Sequence, residues 1–144
     1  MCTNASDRLI FRLRTEPGFV DGREFSDREL AGLPADTCCL SLEQSRVSDA
    51  GLRALPVLLR LRCLDLDGTS ITDRALEWVA EQPVLEELWL EQTVVSDVGL
   101  SSLQRLRTLR FISLLDTEVT VEAVNALRAA HPTIEVTGDD TKSG

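Results

Sequence analysis

The sequence predicts an α/β fold, a right-handed solenoid with a parallel β-sheet on its concave side and helices on its convex side. Three observations carry this expectation. Four consecutive stretches of 24 residues align without gaps. Within each stretch the apolar spacing changes from two to three or four. A serine or threonine stands where the spacing changes, in the place of a helix N-cap.

The chain before the first full copy, residues 1–36, reads as an N-terminal cap containing a degenerate half-repeat. "LIFRL" (Leu9–Leu13) is the candidate first strand and "TEPGFVDG" a loop. "FSDRELAGL" (Phe25–Leu33) matches the helix half of the later copies, and Ser26 with Glu29 forms a capping-box pattern. Four copies then fill residues 37–132. They read "TCCLSLEQSRVSDAGLRALPVLLR", "LRCLDLDGTSITDRALEWVAEQPV", "LEELWLEQTVVSDVGLSSLQRLRT" and "LRFISLLDTEVTVEAVNALRAAHP".

In each copy a period-two strand comes first. Its core-facing pairs are Leu40/Leu42, Leu64/Leu66, Leu88/Leu90 and Ile112/Leu114. A turn follows, with Ser45, Thr69, Thr93 or Thr117, whose hydroxyl suits a bond to nearby backbone. Helices begin at Ser48, Thr72, Ser96 and Thr120 and carry apolar stripes such as Leu52/Leu55/Leu58 and Leu100/Leu103/Leu106. Asp49, Asp73 and Asp97 open three of these helices at the positive end of the dipole, which is a structural rather than a catalytic place. Small residues at Gly51, Ala75, Gly99 and Ala123 allow close helix packing. Trp78 falls between Ala54 and Ser102 of the adjacent copies, where there is room to pack an indole. After the repeats, residues 133–144 offer a last short strand, "TIEV", and a polar tail.

The shared pattern, L-x-x-L-x-L-x-x-T-x-V-[ST]-D-x-[GA]-L-x-x-L, resembles the leucine-rich repeat family over about two thirds of the chain. Threonine or serine stands where that family usually has asparagine or cysteine, which is similar to its bacterial-type repeats. The resemblance implies a curved solenoid whose concave sheet holds proteins or peptides.

Composition narrows the function classes. The chain has 144 residues and 43% hydrophobic content, enough for one domain with a core. A net charge of −9 argues against nucleic-acid binding. No apolar run approaches the roughly 20 residues of a membrane helix. The N-terminus has no signal-peptide layout, so the expectation is a cytoplasmic protein. Four cysteines show no metal-binding spacing, and His131 is the single histidine. The expectation is therefore no enzyme, no cofactor and no metal site.

The residues between the strand leucines face outward. One row reads Cys39, Cys63, Glu87, Phe111, and the next Ser41, Asp65, Trp89, Ser113. Glu43, Asp65, Asp67, Glu87, Glu91 and Asp116 make this surface acidic. Trp89 and Phe111, on adjacent strands, are expected to be exposed; they serve either cross-strand packing or an interface. Cys39 and Cys63 are expected as two free thiols. The reading adopted is a protein-interaction module for a basic partner. Its contact residues are Asp65, Asp67, Glu87, Trp89, Glu91, Phe111 and Asp116, with an apolar or cationic group over Trp89. The alternative is an assembly subunit that uses its helical side or edge strands.

Overall fold

The computed structural model describes residues 8–138. Six parallel strands form a single sheet in sequence order: β1 (Phe19–Asp21), β2 (Cys39–Ser41), β3 (Cys63–Asp65), β4 (Glu87–Trp89), β5 (Phe111–Ser113) and β6 (Glu135–Thr137). The connecting helices are α2 (Asp27–Leu30), α3 (Asp49–Arg53), α4 (Asp73–Val79), α5 (Asp97–Ser102) and α6 (Val121–Ala130). One further helix, α1 (Leu9–Arg12), precedes β1. No helix among the described residues is long and apolar enough to cross a membrane.

The register repeats the sequence period. Leu40, Leu64, Leu88 and Ile112 are successive partners across the sheet, and all are fully buried. With Leu42, Leu66, Leu90 and Leu114 they meet Leu52, Leu76, Leu100 and Leu127 from the helices in one continuous core. A strand can expose a whole face only because its period of two sends every second side chain inward.

Two N-terminal expectations are corrected. "LIFRL" is not a strand but contains α1, and "TEPGFVDG" is not all loop, since it contains β1. Leu9 and Ile10 are both buried although adjacent, which a strand with one open face would not achieve. The strand position is taken by Phe19–Asp21. Gly18 O accepts the Cys38 amide at 2.8 Å, and the Gly22 amide donates to Ser41 O at 2.7 Å. Val20 pairs with Leu40, so this first unit is 20 residues long instead of 24 and escaped an ungapped alignment.

The helix starts are tied to one another by a ladder of aspartates. Each carboxylate opening one helix accepts both the amide and the hydroxyl of the next N-cap: Asp27 from Ser48, Asp49 from Thr72, Asp73 from Ser96 and Asp97 from Thr120. The amide bonds measure 2.7, 2.7, 2.6 and 2.8 Å. The aspartates are thus structural, but across repeats as well as within them. A Cβ on Gly51 would lie 2.1 Å from Asp27 Oδ1, and one on Gly99 would lie 2.3 Å from Asp73 Oδ1. Close helix spacing and the ladder therefore depend on the same small residues. Val121 stands where the fifth aspartate would be.

The turns after the strands repeat too. Gln44, Gly68, Gln92 and Asp116 all adopt positive φ, between 57° and 68°. Thr69, Thr93 and Thr117 donate their buried hydroxyls to Leu66, Leu90 and Leu114 carbonyls at 2.7, 2.7 and 2.8 Å. Trp78 is buried in the core, with its indole N–H on Leu55 O at 3.1 Å.

Candidate functional site

The outward row Cys39, Cys63, Glu87, Phe111 does not meet solvent. Helix α1 lies across it, and Leu9 and Ile10 cover Cys39 and Cys63. Both thiols are fully buried and free, and burial pushes the Cys63 thiol far up, which makes it inert.

Glu87 holds the helix in place. Its Oε1 accepts the Leu9 amide at 2.8 Å and its Oε2 the Ile10 amide at 2.9 Å. The residue before α1, Arg8, supplies no side-chain cap, so a carboxylate from the sheet does that work. Glu87 Oε2 also accepts the Trp89 indole N–H at 2.9 Å and the Cys63 thiol at 3.2 Å. Four donors offset the desolvation of a carboxylate only 3% exposed.

Phe111 is likewise covered. The Arg8 guanidinium lies 3.7 Å from its ring centroid and pairs with Glu135. The expectation that Phe111 is exposed is therefore wrong: it is 4% exposed. Glu87, expected to be offered to a partner, is turned to the protein's own helix. Trp89 is half-buried, with its ring 5.0 Å from that of Phe111 and tilted by 53°.

The next row is only partly covered: Ser41, Asp65 and Ser113 are buried, and Trp89 is half-buried. Between α1 and the strand ends lies a cleft of about 280 Å³. Its floor is Ser41, Asp65 and Trp89, and its rim carries Glu43, Asp67 and Glu91. On the other side stand Ile10 and Phe11 of α1, with Arg14, Phe19, Asp21 and Arg23. Arg23 is committed to Asp21, at 2.8 Å. Arg14 lies over the Phe11 and Phe19 rings at 5.5 and 5.8 Å. Among the described residues, none of Glu43, Asp65, Asp67 and Glu91 has an ion-pair partner.

These acids are crowded instead. The Asp67 amide donates to Asp65 Oδ1 at 2.9 Å, the Glu91 amide donates to Asp67 Oδ1 at 2.7 Å, and the Ser113 hydroxyl donates to Glu91. Burial pushes Asp65 above the usual carboxylate range, with Glu43 and Glu91 adding to it. Burial and then the neighbouring Asp65 charge push Asp67 upward as well.

Of the seven contact residues expected from sequence, four meet in this cleft: Asp65, Asp67, Trp89 and Glu91. Glu87 and Phe111 lie under α1, and Asp116 is an exposed turn residue that does not line the cleft. Sequence reasoning missed Ser41, Ile10, Phe11 and Phe19. The available signal was the apolar-basic "RLIFRLR" before β1, complementary to an acidic face on the same chain. His131, the single histidine, is buried with Nε2 3.0 Å from Leu103 O and takes no part in the cleft. Among the described residues no His, Cys, Asp or Glu group is arranged to hold a metal ion. Neither a protein-family model nor a curated protein matches this chain.

Proposed function

We propose that the chain is a right-handed leucine-rich-repeat solenoid that serves as a protein-interaction module for a basic partner. The sheet order, the 24-residue register and the helix between each pair of parallel strands support the architecture. The hand follows from the rule that parallel strands joined through a helix cross over right-handedly. One observation carries the function: four carboxylates that form no ion pair among the described residues surround a half-exposed tryptophan in a cleft of the sheet face. Uncompensated charge beside an aromatic face is suited to a cation and steers a basic partner toward it.

The contact set is Asp65, Asp67, Trp89 and Glu91, joined by Glu43. Glu87 and Phe111 belong to the support behind it. The lone histidine sits elsewhere, which favours binding over general-base chemistry.

Selection of a random displayed peptide library on the immobilised protein tests this reading. We expect enrichment of arginine- and lysine-containing sequences whose binding weakens with salt and is lost on Trp89→Ala. Selected peptides that are acidic, or that bind Trp89→Ala as well as the parent, would sink it.

A further inference from the structure

Ser41 and Ser113 belong to one outward row, on β2 and β5, with Asp65 and Trp89 between them. The Ser113 hydroxyl donates to Glu91. The Ser41 residue is only 6% exposed, it lines the cleft, and among the described residues its hydroxyl has no hydrogen-bond partner. The residue is nearly buried, yet its hydroxyl is not among the buried unpartnered atoms, so it faces the cleft and is free to bond to a group seated there.

The same face already shows how it receives a cation. Arg8 lies flat over Phe111 and pairs with Glu135 on the neighbouring strand. Trp89 with Asp65 and Glu91 repeats that pairing of ring and carboxylates in the cleft; Arg14 and Arg23 line the same cleft, but among the described residues neither forms an ion pair with Asp65 or Glu91.

We infer that the cleft receives the guanidinium group of one arginine side chain from the partner protein, laid on the Trp89 indole, facing Asp65 and Glu91 and bonded to Ser41. This rests on the binding reading above and names what that site recognises. The volume of about 280 Å³ lies just under the usual range of small-molecule pockets, roughly 300–1,000 Å³. It suits one head group with a few waters, not a nucleotide-sized cofactor. A guanidinium fits better than an ammonium. It is planar, so it stacks on indole; it is more weakly hydrated, so it enters a half-dry cleft; and its five donors reach several acceptors at once. Burial first, and then the neighbouring carboxylates, push Asp65 and Asp67 above the usual carboxylate range, and an incoming cation opposes both effects.

The test titrates the full chain with N-acetyl-arginine amide, its neutral isostere N-acetyl-citrulline amide, and N-acetyl-lysine amide, following the two indole N–H signals by NMR. The arginine compound is expected to move the Trp89 signal saturably and leave Trp78 in place. The citrulline compound moves neither, and the lysine compound binds more weakly than arginine. Asp65→Asn should weaken arginine binding about tenfold, the size of one charge-assisted hydrogen bond. Ser41→Val, which fills the cleft floor without touching a charge, should abolish it; a thermal melt of each variant checks that it is folded. Equal shifts from citrulline, undiminished binding by both folded variants, or no Trp89 shift at any concentration would overturn the inference. If the amide fails while selected peptides still depend on Trp89, the single-arginine site falls and the binding module stands; if both fail, the module falls as well.

Discussion

Glu87 and Asp67 sit one strand apart on the same face of the sheet, and their fates are opposite. Glu87 is buried under α1 and receives four donors: two helix amides, an indole N–H and a thiol. Asp67 is half-buried in the open cleft, receives one amide from Glu91, and has Asp65 and Glu91 as its close charged neighbours. One carboxylate is matched by the protein's own N-terminal segment, and the other is left against like charge. On the proposed reading, the difference separates support from contact surface: the face is support where the chain completes its own electrostatics, and the proposed contact lies where, among the described residues, the carboxylates have no ion-pair partner.

The comparison breaks most sharply at Glu87. Glu87→Ala removes the acceptor for the buried Leu9 and Ile10 amides of α1 and for the Trp89 indole. We expect a loss of about 3 kcal/mol in urea unfolding, at the scale for orphaning buried donors. Amide exchange at Leu9 and Ile10 should rise far more than in the β3 and β4 amides, because α1 detaches before the sheet opens. Uniform loosening of the whole chain would show that α1 is not separately anchored and that the division into support and open site is wrong.

Asp67 gives the opposite sign. Its folded-state pKa is raised above the ordinary value of about 4, so its stabilising contribution is complete below that pH and is lost as pH rises through the folded value. Asp67→Asn keeps an oxygen for the Glu91 amide and removes the charge. It should raise stability near neutral pH by about 1 kcal/mol, a modest figure because the group is partly screened by solvent. Near pH 4 the variant and parent should melt together. A melting temperature lowered at pH 8 would mean that Asp67 already has a cation partner.

Arg8→Ala probes the boundary between the halves. It removes the cation from Phe111 and the ion pair to Glu135. Because the Glu135 side chain is partly exposed, its ion pair is screened, and most of the expected loss of about 1 kcal/mol comes from the ring contact. Glu135→Gln should therefore cost much less than Arg8→Ala. Equal losses would place the energy in the ion pair instead.

The repeats were legible because a 24-residue period places Leu64, Leu88 and Ile112 in register with no other information. The first unit was not, since its Val20-to-Leu40 spacing is 20 residues and its sequence lacks the strand leucines. Helix α1 escaped for a different reason. Four residues have too little intrinsic helix stability to announce themselves, and the helix exists because Glu87 and two buried thiols receive it. That contact also explains the wrong expectation for Phe111. Strand alternation tells which side chains leave the core, but not what else the chain lays over them. Trp89, Asp65, Asp67 and Glu91 were recognisable as a site because they combine charge with an outward aromatic. Ser41 was invisible until its lack of a partner could be seen.

The smallest effect is the one that bears most directly on the cleft. Ser113→Ala removes the donor to Glu91 and should cost about 1 kcal/mol, a typical net hydrogen bond. Ser41→Ala, in the same row on β2, removes a hydroxyl with no partner among the described residues, so its unfolding free energy should stay within a few tenths of a kcal/mol of the parent. The pair matters because residue type and row are held constant, and only the presence of a partner differs. Should Ser41→Ala cost as much as Ser113→Ala, the Ser41 hydroxyl is already bonded in solution, and the open half of the face is as self-satisfied as the half beneath α1. Near-neutral stability for Ser41→Ala would leave that hydroxyl uncommitted within the fold and free to bond a group that enters the cleft.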